Sequence, residues 1–431
     1  MTITTGWSTR VFGHIQPGDA VGLLTELVRI PSVSGSDAEH EMQAWLADWL
    51  RRAGLEVDHW PLPLTELTAE PDFPGMEVPR SEAWGLVARL PGTGGGRSLM
   101  LNGHVDVVPP GDPAAWRTGD PFAGVLIGDD LHGRGACDMK GGLVSALLAV
   151  RALRRSGAPL AGDVLLACVV GEEDGGLGTY ATLRRGWRAD ACVIAEPTGL
   201  DVVPANGGAL TFRLRVPGLA AHASRRTEGV SAVERFWPVF QALRDLEQRR
   251  NAEVDPVMSR WDIAYPIEIG MVTAGDWAST VPDLLVAEGR LGVALDEPVA
   301  GARAALQDAV AAACATDPWL RDHPVAVEWW GGQFAPARLP AEDGGLLERV
   351  RRAHTTVTGG SADVWGGPYG SDLRLLTGIG GIPTLQYGPG DVALAHAVDE
   401  SVPVPDVLSA ARTLALVALD HCGAPPDQPG N

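Results

Sequence analysis

Lysine is almost missing from this chain. Its 431 residues contain one, Lys140, and every other basic side chain is arginine. Basic charge as a whole is scarce: 34 Lys+Arg face 54 Asp+Glu, for a formal charge of −20. Such a field repels phosphate backbones and anionic membranes, which excludes binding to nucleic acid or to a membrane through a basic surface. Cysteine is also sparse. The five residues Cys137, Cys168, Cys192, Cys314 and Cys422 show no CxxC spacing, and an odd, dilute set is no disulfide framework. Cys168 and Cys192 lie in apolar runs and read as core. No apolar run approaches the roughly 18 residues of a membrane span. Residues 1–16 lack the basic-then-apolar order and small-residue cleavage site of a signal peptide, so the expected compartment is the cytoplasm.

What remains is an ordinary globular composition, 45% hydrophobic and 20% charged. At about 150 residues per domain, the length predicts two or three domains. Helical periodicity runs over residues 18–30 and stops at Pro31; it returns over residues 36–52 and ends at Gly54. Residues 55–60 read as a strand and residues 61–83 as a long Pro-rich excursion. From Trp84 onward, buried-strand candidates at 98–101, 163–170 and 189–195 alternate with helical segments, the strongest being Gly141–Arg155. Strands alternating with helices imply a mostly parallel sheet covered on both faces.

After Pro197 the pattern changes. Residues 210–216 alternate strictly, as in a half-exposed strand. A helix at 231–248, strands at 263–273 and 284–293, a helix at 298–313 and a strand at 325–330 complete a split βαβ, ferredoxin-like order. The expected organisation is a catalytic domain in two parts, 1–207 and 334–431, with an inserted α+β domain at 208–333. In the second part a helix is expected at 344–356, a strand at 382–387 and a closing helix at 404–421; the Pro/Gly-rich tail, 423–431, is expected to fray.

Acidic and imidazole groups fall just past the apolar strand candidates. Residues 99–101 lead into Asn102-Gly103-His104-Val105-Asp106, residues 164–170 into Gly171-Glu172-Glu173-Asp174, and residues 192–195 into Glu196-Pro197; Asp138 precedes the Gly141 helix. In open α/β sheets, ligands bind outside the carboxyl ends of the strands, so these side chains should converge. Packed carboxylates raise one another's pKa unless a cation intervenes. Mixed His nitrogen and carboxylate oxygen suits Zn²⁺, Co²⁺ or Mn²⁺, and a carboxylate shared by two ions would make a two-metal hydrolytic centre. Taken alone, Glu172-Glu173-Asp174 would be a solvated acidic turn; the pieces carry weight jointly. Of the remaining histidines, His132, beside Asp129-Asp130, reads as a surface residue.

In chain order, LNGHVDVVPPGD around His104 and Asp106, Gly133-Arg134-Gly135 with Asp138-Met139-Lys140-Gly141-Gly142, Gly171-Glu172-Glu173, Glu196-Pro197-Thr198 and the late His396 resemble the M20 di-zinc peptidase/deacylase family. That group includes acetylornithine deacetylases, succinyl-diaminopimelate desuccinylases and carboxypeptidase G-like enzymes, and the resemblance spans almost the whole chain. It implies a phosphorylase/hydrolase-like zinc-exopeptidase α/β domain with a mostly parallel central sheet, plus a ferredoxin-like lid and dimerisation domain. It implies two divalent ions per chain, zinc first, with Asp138 bridging. His104 and Glu196 would complete one site, and Glu173 and His396 the other. Glu172 would be the general base for a water between the metals. Asp106 would be the carboxylate that orients the His104 ring, and a cis peptide would follow Asp138.

Neighbouring strand residues point to opposite faces, so Glu172 and Glu173 can serve one centre only from a turn, which Gly171 and Gly175-Gly176 supply. The segment Leu219–Glu234 resembles the family's lid signature, with His222 as an oxyanion stabiliser, often supplied by a partner subunit. Residues 369–374, Tyr-Gly-Ser-Asp-Leu-Arg, resemble its substrate-carboxylate loop, with Ser371 and Arg374 contacting substrate. Where many members read Gly-x-Asn-Ala after the lid histidine, this chain reads Gly229-Val230-Ser231-Ala232, and Ser279-Thr280 stands before Val281-Pro282 where many have Asn. These departures lean towards the acetylornithine-deacetylase-like branch. The expected reaction is hydrolysis of an N-acyl amide bond of a small amino-acid-like substrate by a cytoplasmic homodimer. The alternatives are a dipeptidase or carboxypeptidase, a formylaminopyrimidine-type deformylase, or a silent binding protein.

Overall fold

The computed structural model describes residues 4–423. The tail expected to fray lies, from residue 424, outside them. The chain divides into two compact units. Of the described residues, the first comprises 4–204, 338–365 and 372–423, and the second 205–337 and 366–371.

The first unit is built on a sheet whose middle strands are parallel. Leu99–His104 pairs in parallel with Val164–Val169 on one side and with Ala191–Ile194 on the other, and Thr384–Gln386 runs parallel to Ala191–Ile194. The edges are antiparallel: Glu56–Pro61 joins Trp84–Leu90, which joins Val164–Val169, and at the other side Gln386 pairs with Val203. Every residue of Leu99–His104, Val164–Val169 and Ala191–Ile194 is buried. Such strands are covered on both faces, which explains why they read as continuous apolar runs rather than as alternation. Because the three are parallel, their carboxyl ends share one edge of the sheet.

Helices Pro17–Arg29, Asp37–Arg52, Gly141–Ser156, Leu346–Thr358 and Val404–Cys422 fall within a few residues of the periodicity expected for them. Gly157 ends the Gly141–Ser156 helix in the left-handed conformation that glycine adopts without a Cβ penalty. The single lysine is wholly buried, and its Nζ donates to the carbonyls of Leu27 and Ile30 at 2.9 Å each. It thereby gives a second donor to two carbonyls at the end of the Pro17–Arg29 helix, which also accept the N–H groups of Ile30 and Ser32. A small side sheet joins Val125–Ile127, Asp130–His132 and Ser401–Pro403. His132, expected at the surface, is buried: it lies on the middle strand of this sheet, paired on both sides, rather than in an open turn.

The second unit has the order strand, helix, strand, strand, helix, strand. Its four antiparallel strands lie side by side as Ile267–Ala274, Leu284–Val293, Gly208–Pro217 and Ala326–Phe334, with helices Ala232–Arg250 and Val299–Thr316. Leu210, Phe212, Leu214 and Val216 point into one hydrophobic cluster with Val239, Leu243 and Leu306, while Arg213 and Arg215 face away. Ile267–Ala274 is an edge strand, and past Ile267 it is largely exposed, with Met271 61% and Val272 53% accessible.

All five cysteines are free and buried. Among the described residues, no helix is long and apolar enough to cross a membrane.

Candidate active site

The parallel strands deliver their carboxyl-end residues to one place. His104 ends its strand, Glu172 and Glu173 follow Val164–Val169, and Glu196 follows Ala191–Ile194. Gly171 (φ 66°), Gly175 (φ 151°) and Gly176 (φ 87°) make the turn that carries Glu172 and Glu173. A Cβ on Gly175 would lie 2.1 Å from the Gly75 carbonyl oxygen, so the 61–83 excursion passes too close there for any other residue. Asp138 comes from the segment before the Gly141–Ser156 helix, and the Asp138–Met139 peptide is cis, as the resemblance implies.

Asp138 divides its carboxylate between two histidines. Its Oδ1 lies 3.1 Å from His104 Nε2 and its Oδ2 lies 3.5 Å from His396 Nε2. Glu196 stands 3.9 Å from the His104 nitrogen, and Glu173 stands 3.0 Å from the His396 nitrogen. Two groups of potential ligands result, His104–Asp138–Glu196 and Asp138–Glu173–His396, each with donor atoms within 4.8 Å of one another. His104 is buried, whereas the His396 side chain is 54% accessible.

The electrostatics of this cluster are those of a cation site. Burial opposes charge on His104, but the hydrogen bond to Asp138 and the charges of Glu196, Asp106 and Asp138 hold its pKa well above the imidazole range. His396 is likewise held up, at about 9: burial opposes the charge, and contact with Glu173 outweighs it. Burial, and then neighbouring carboxylates, push Glu172, Glu173 and Glu196 above the usual carboxyl range. The pocket therefore relieves its crowded charges by taking up protons, which is work that divalent cations would do instead. Imidazole nitrogen and carboxylate oxygen in threes, with one carboxylate shared, fit two such ions.

The resemblance implies that the Asp106 carboxylate orients His104. The structure gives that task to its backbone: His104 Nδ1 lies 2.9 Å from the Asp106 carbonyl oxygen and 3.8 Å from its carboxylate. The carboxylate is turned the other way, accepting the N–H of Glu172 and of Glu173 and the hydroxyl of Ser34. The Glu172-Glu173 turn and Ser34 supply the donors that hold the carboxylate there.

Arg374 is buried in the first unit, where Nη2 donates to the Gly175 carbonyl at 2.7 Å. Burial lowers its pKa to about 10 against the opposing charges of Asp372 and Glu172. Ser371 belongs to the second unit and donates to Asn206 Oδ1. His222, also in the second unit, is exposed, with Nδ1 2.8 Å from the Ser224 hydroxyl.

Sequence reasoning missed the groups that hold these loops. Arg80, only 1% accessible, pairs with Glu39 at 3.0 Å and with Asp174 at 2.7 Å. Arg134 pairs with Glu400 at 2.7 Å, both buried. Arg134 lies inside a quoted motif and Glu400 four residues past His396, but neither position reveals its partner.

Fold and site together define a mixed α/β protein with two adjoining groups of three side chains, each able to hold a metal ion. The description Peptidase family M20/M25/M40 matches residues 100–420. The chain belongs to this family and is an enzyme that hydrolyses amide bonds. It is 26% identical over 433 residues to an N-formyl-4-amino-5-aminomethyl-2-methylpyrimidine deformylase of Halalkalibacterium halodurans, covering 94% of each chain. It is 30% identical over 427 residues to a succinyl-diaminopimelate desuccinylase of Methylocella silvestris, covering 92% of this chain and 96% of that one. The di-peptidase Dug1p of Saccharomyces cerevisiae shares the fold, with a TM-score of 0.77 at 16% identity over 97% of this chain and 99% of that one.

Proposed function

We propose that this enzyme removes an acyl group from the nitrogen of an amino-acid-like substrate, with one divalent cation in each of the two triads that share Asp138. The observation that carries this reading is the division of one carboxylate between His104 and His396. Zinc suits the donor set best, and cobalt or manganese would also fit it. When bound, the two ions supply Lewis acidity, withdrawing electrons from the scissile carbonyl and acidifying water.

The rest is done by the chain. Glu172 takes a proton from the attacking water at a carboxylate oxygen and passes it to the amide nitrogen as the C–N bond breaks. The water oxygen remains on the acyl carbon, leaving a carboxylic acid and an amine. Burial raises the pKa of Glu172, which makes its carboxylate a stronger proton acceptor. Asp106 fixes the turn that presents it. Arg374 and Ser371 are assigned to substrate binding, the arginine to a substrate carboxylate. His222 is assigned to the developing oxyanion.

Acetyl, succinyl and formyl groups are all candidate acyl parts; the desuccinylase and deformylase relatives favour the last two. A dipeptidase using the same centre is the second reading, supported by the shared fold with a di-peptidase. We further assign the second unit to a lid that pairs two chains through the exposed Ile267–Ala274 edge. A reducing cytoplasm is consistent with five free thiols. The experiment is a panel of N-acyl amino acids, formyl-aminopyrimidines and dipeptides, assayed with and without chelator. Chelator-sensitive release of amine from an N-acyl substrate is expected. Turnover of dipeptides alone would select the second reading, and chelator-resistant turnover would reject the metal assignment.

A further inference from the structure

A buried ion pair beside the two triads touches the backbone of their residues but not their ligand side chains. Arg134 and Glu400 have side chains only 3% and 0% accessible. Burying both charges is costly unless they are paired and hydrogen-bonded; here both also hold backbone, and of the guanidinium only Nε is left without a partner. Glu400 Oε1 accepts the N–H groups of Cys137 and Asp138, both at 2.9 Å. Its Oε2 accepts the N–H of Gly135 at 2.9 Å and the Arg134 guanidinium at 2.7 Å. The guanidinium continues to the other side, donating through Nη2 to the His396 carbonyl and through Nη1 to the Ala397 carbonyl, both at 3.2 Å.

The sheet register explains the arrangement. Ser401 pairs with His132, and the Glu400 carbonyl accepts the N–H of Gly133. The strand pairing therefore brings the residue before Ser401 against the segment that leads to Asp138. The His396 loop needs support, because His396 and Asp399 both adopt left-handed backbone, at φ 61° and 60°. Non-glycine residues keep that conformation only where surrounding structure imposes it. The guanidinium carbon lies over the Trp116 ring, 5.2 Å from its centre, which adds a cation–π contact.

We propose that the Arg134–Glu400 pair is a positioning strut: it ties the backbone of Asp138 to the backbone of His396, and so sets the separation at which one carboxylate serves both triads. The proposal rests on the two-cation reading above. Glu400 acts mainly on Asp138, which belongs to both triads, while Arg134 reaches the His396 loop, which belongs to one. The two residues should therefore fail differently.

The test is titration of the metal-free full-length protein with Zn²⁺ against a chromophoric chelator, with thermal unfolding of the same samples. Wild type is expected to take up two ions per chain. Arg134→Lys keeps the charge but loses the planar fork, and should weaken the second ion about 10- to 100-fold while leaving the first within about threefold. Glu400→Gln is nearly isosteric and should weaken both. At saturating metal, KM should stay within about twofold of wild type. Arg151→Met breaks the Arg151–Asp19 pair, which contacts neither ligand loop, and should lower the unfolding temperature without changing either affinity. If Glu400→Gln yields no folded protein, Arg134→Lys carries the test. Two ions bound by Arg134→Lys as tightly as by wild type would overturn the strut alone. Fewer than two ions on wild type would overturn the two-cation reading and the strut with it.

Discussion

The carboxylate of Asp106 accepts the backbone N–H of Glu172 at 3.2 Å, while the carbonyl of the same residue faces His104. One residue thus sets both a metal-ligand ring and the turn that presents the base. Asp106→Asn keeps the carbonyl but brings an amide against the N–H groups of Glu172 and Glu173. It should lower kcat about 10- to 100-fold with a smaller change in KM. Steady-state kinetics at saturating metal check this; an unchanged kcat would remove Asp106 from the account.

Arg80 holds the base turn from the other side. It joins Glu39, on the Asp37–Arg52 helix, to Asp174, immediately after Glu173, and Asp174 also accepts the N–H of Val78. Arg80→Met leaves two buried carboxylates without their cation, and should cost about 3–5 kcal/mol in urea unfolding. A loss below about 1 kcal/mol would show that the pair contributes little to holding the excursion on the turn.

Acid should destabilise the protein through a histidine remote from the triads. Burial, with Arg97 and Arg349 nearby, lowers the pKa of His421 to about 4, and its Nε2 lies 3.1 Å from the Ser98 carbonyl. Between pH 4 and the unfolded value near 6.5, the unfolded chain binds the proton and the native state does not. Stability therefore falls as pH drops through that window, by about 3 kcal/mol for a shift of this size. His421→Gln should flatten the decline; an equal slope in both proteins would assign the acid sensitivity elsewhere.

Mixing two inactive variants tests whether His222 serves a partner's site. If it acts across a dimer, mixing inactive His222→Ala with inactive Glu172→Gln and allowing subunits to exchange should restore turnover, because some hybrids hold one intact site. A mixture that remains inactive despite exchange would place His222 in its own chain's site or outside catalysis. A single-chain mass in sedimentation would exclude the partner role.

The buried parallel strands are legible because apolar runs of three to seven residues stand just before acidic or imidazole residues, and parallel pairing turns such ends into one edge. The second unit was legible because Leu210, Phe212, Leu214 and Val216 alternate without interruption. The side sheet was not: its strands are three residues long, too short to show a period. His132 was misplaced for that reason. Trp84–Leu90 is not among the strand candidates, because Trp84 and Arg89 interrupt its buried pattern. The ligand candidates carried a joint pattern. The pairs Arg80–Asp174 and Arg134–Glu400 join residues 94 and 266 positions apart, and nothing local in a sequence marks a partner at that range.

The most direct test of the central claim is metal content and turnover of Glu172→Gln, reconstituted beside wild type and unfolded beside it as a control. The account predicts two divalent ions per chain in both proteins, similar stability, and a loss of at least about 100-fold in kcat for the variant. Turnover close to wild type would remove Glu172 as the proton carrier. Reconstituted wild type that binds no metal would contradict the shared-carboxylate centre itself.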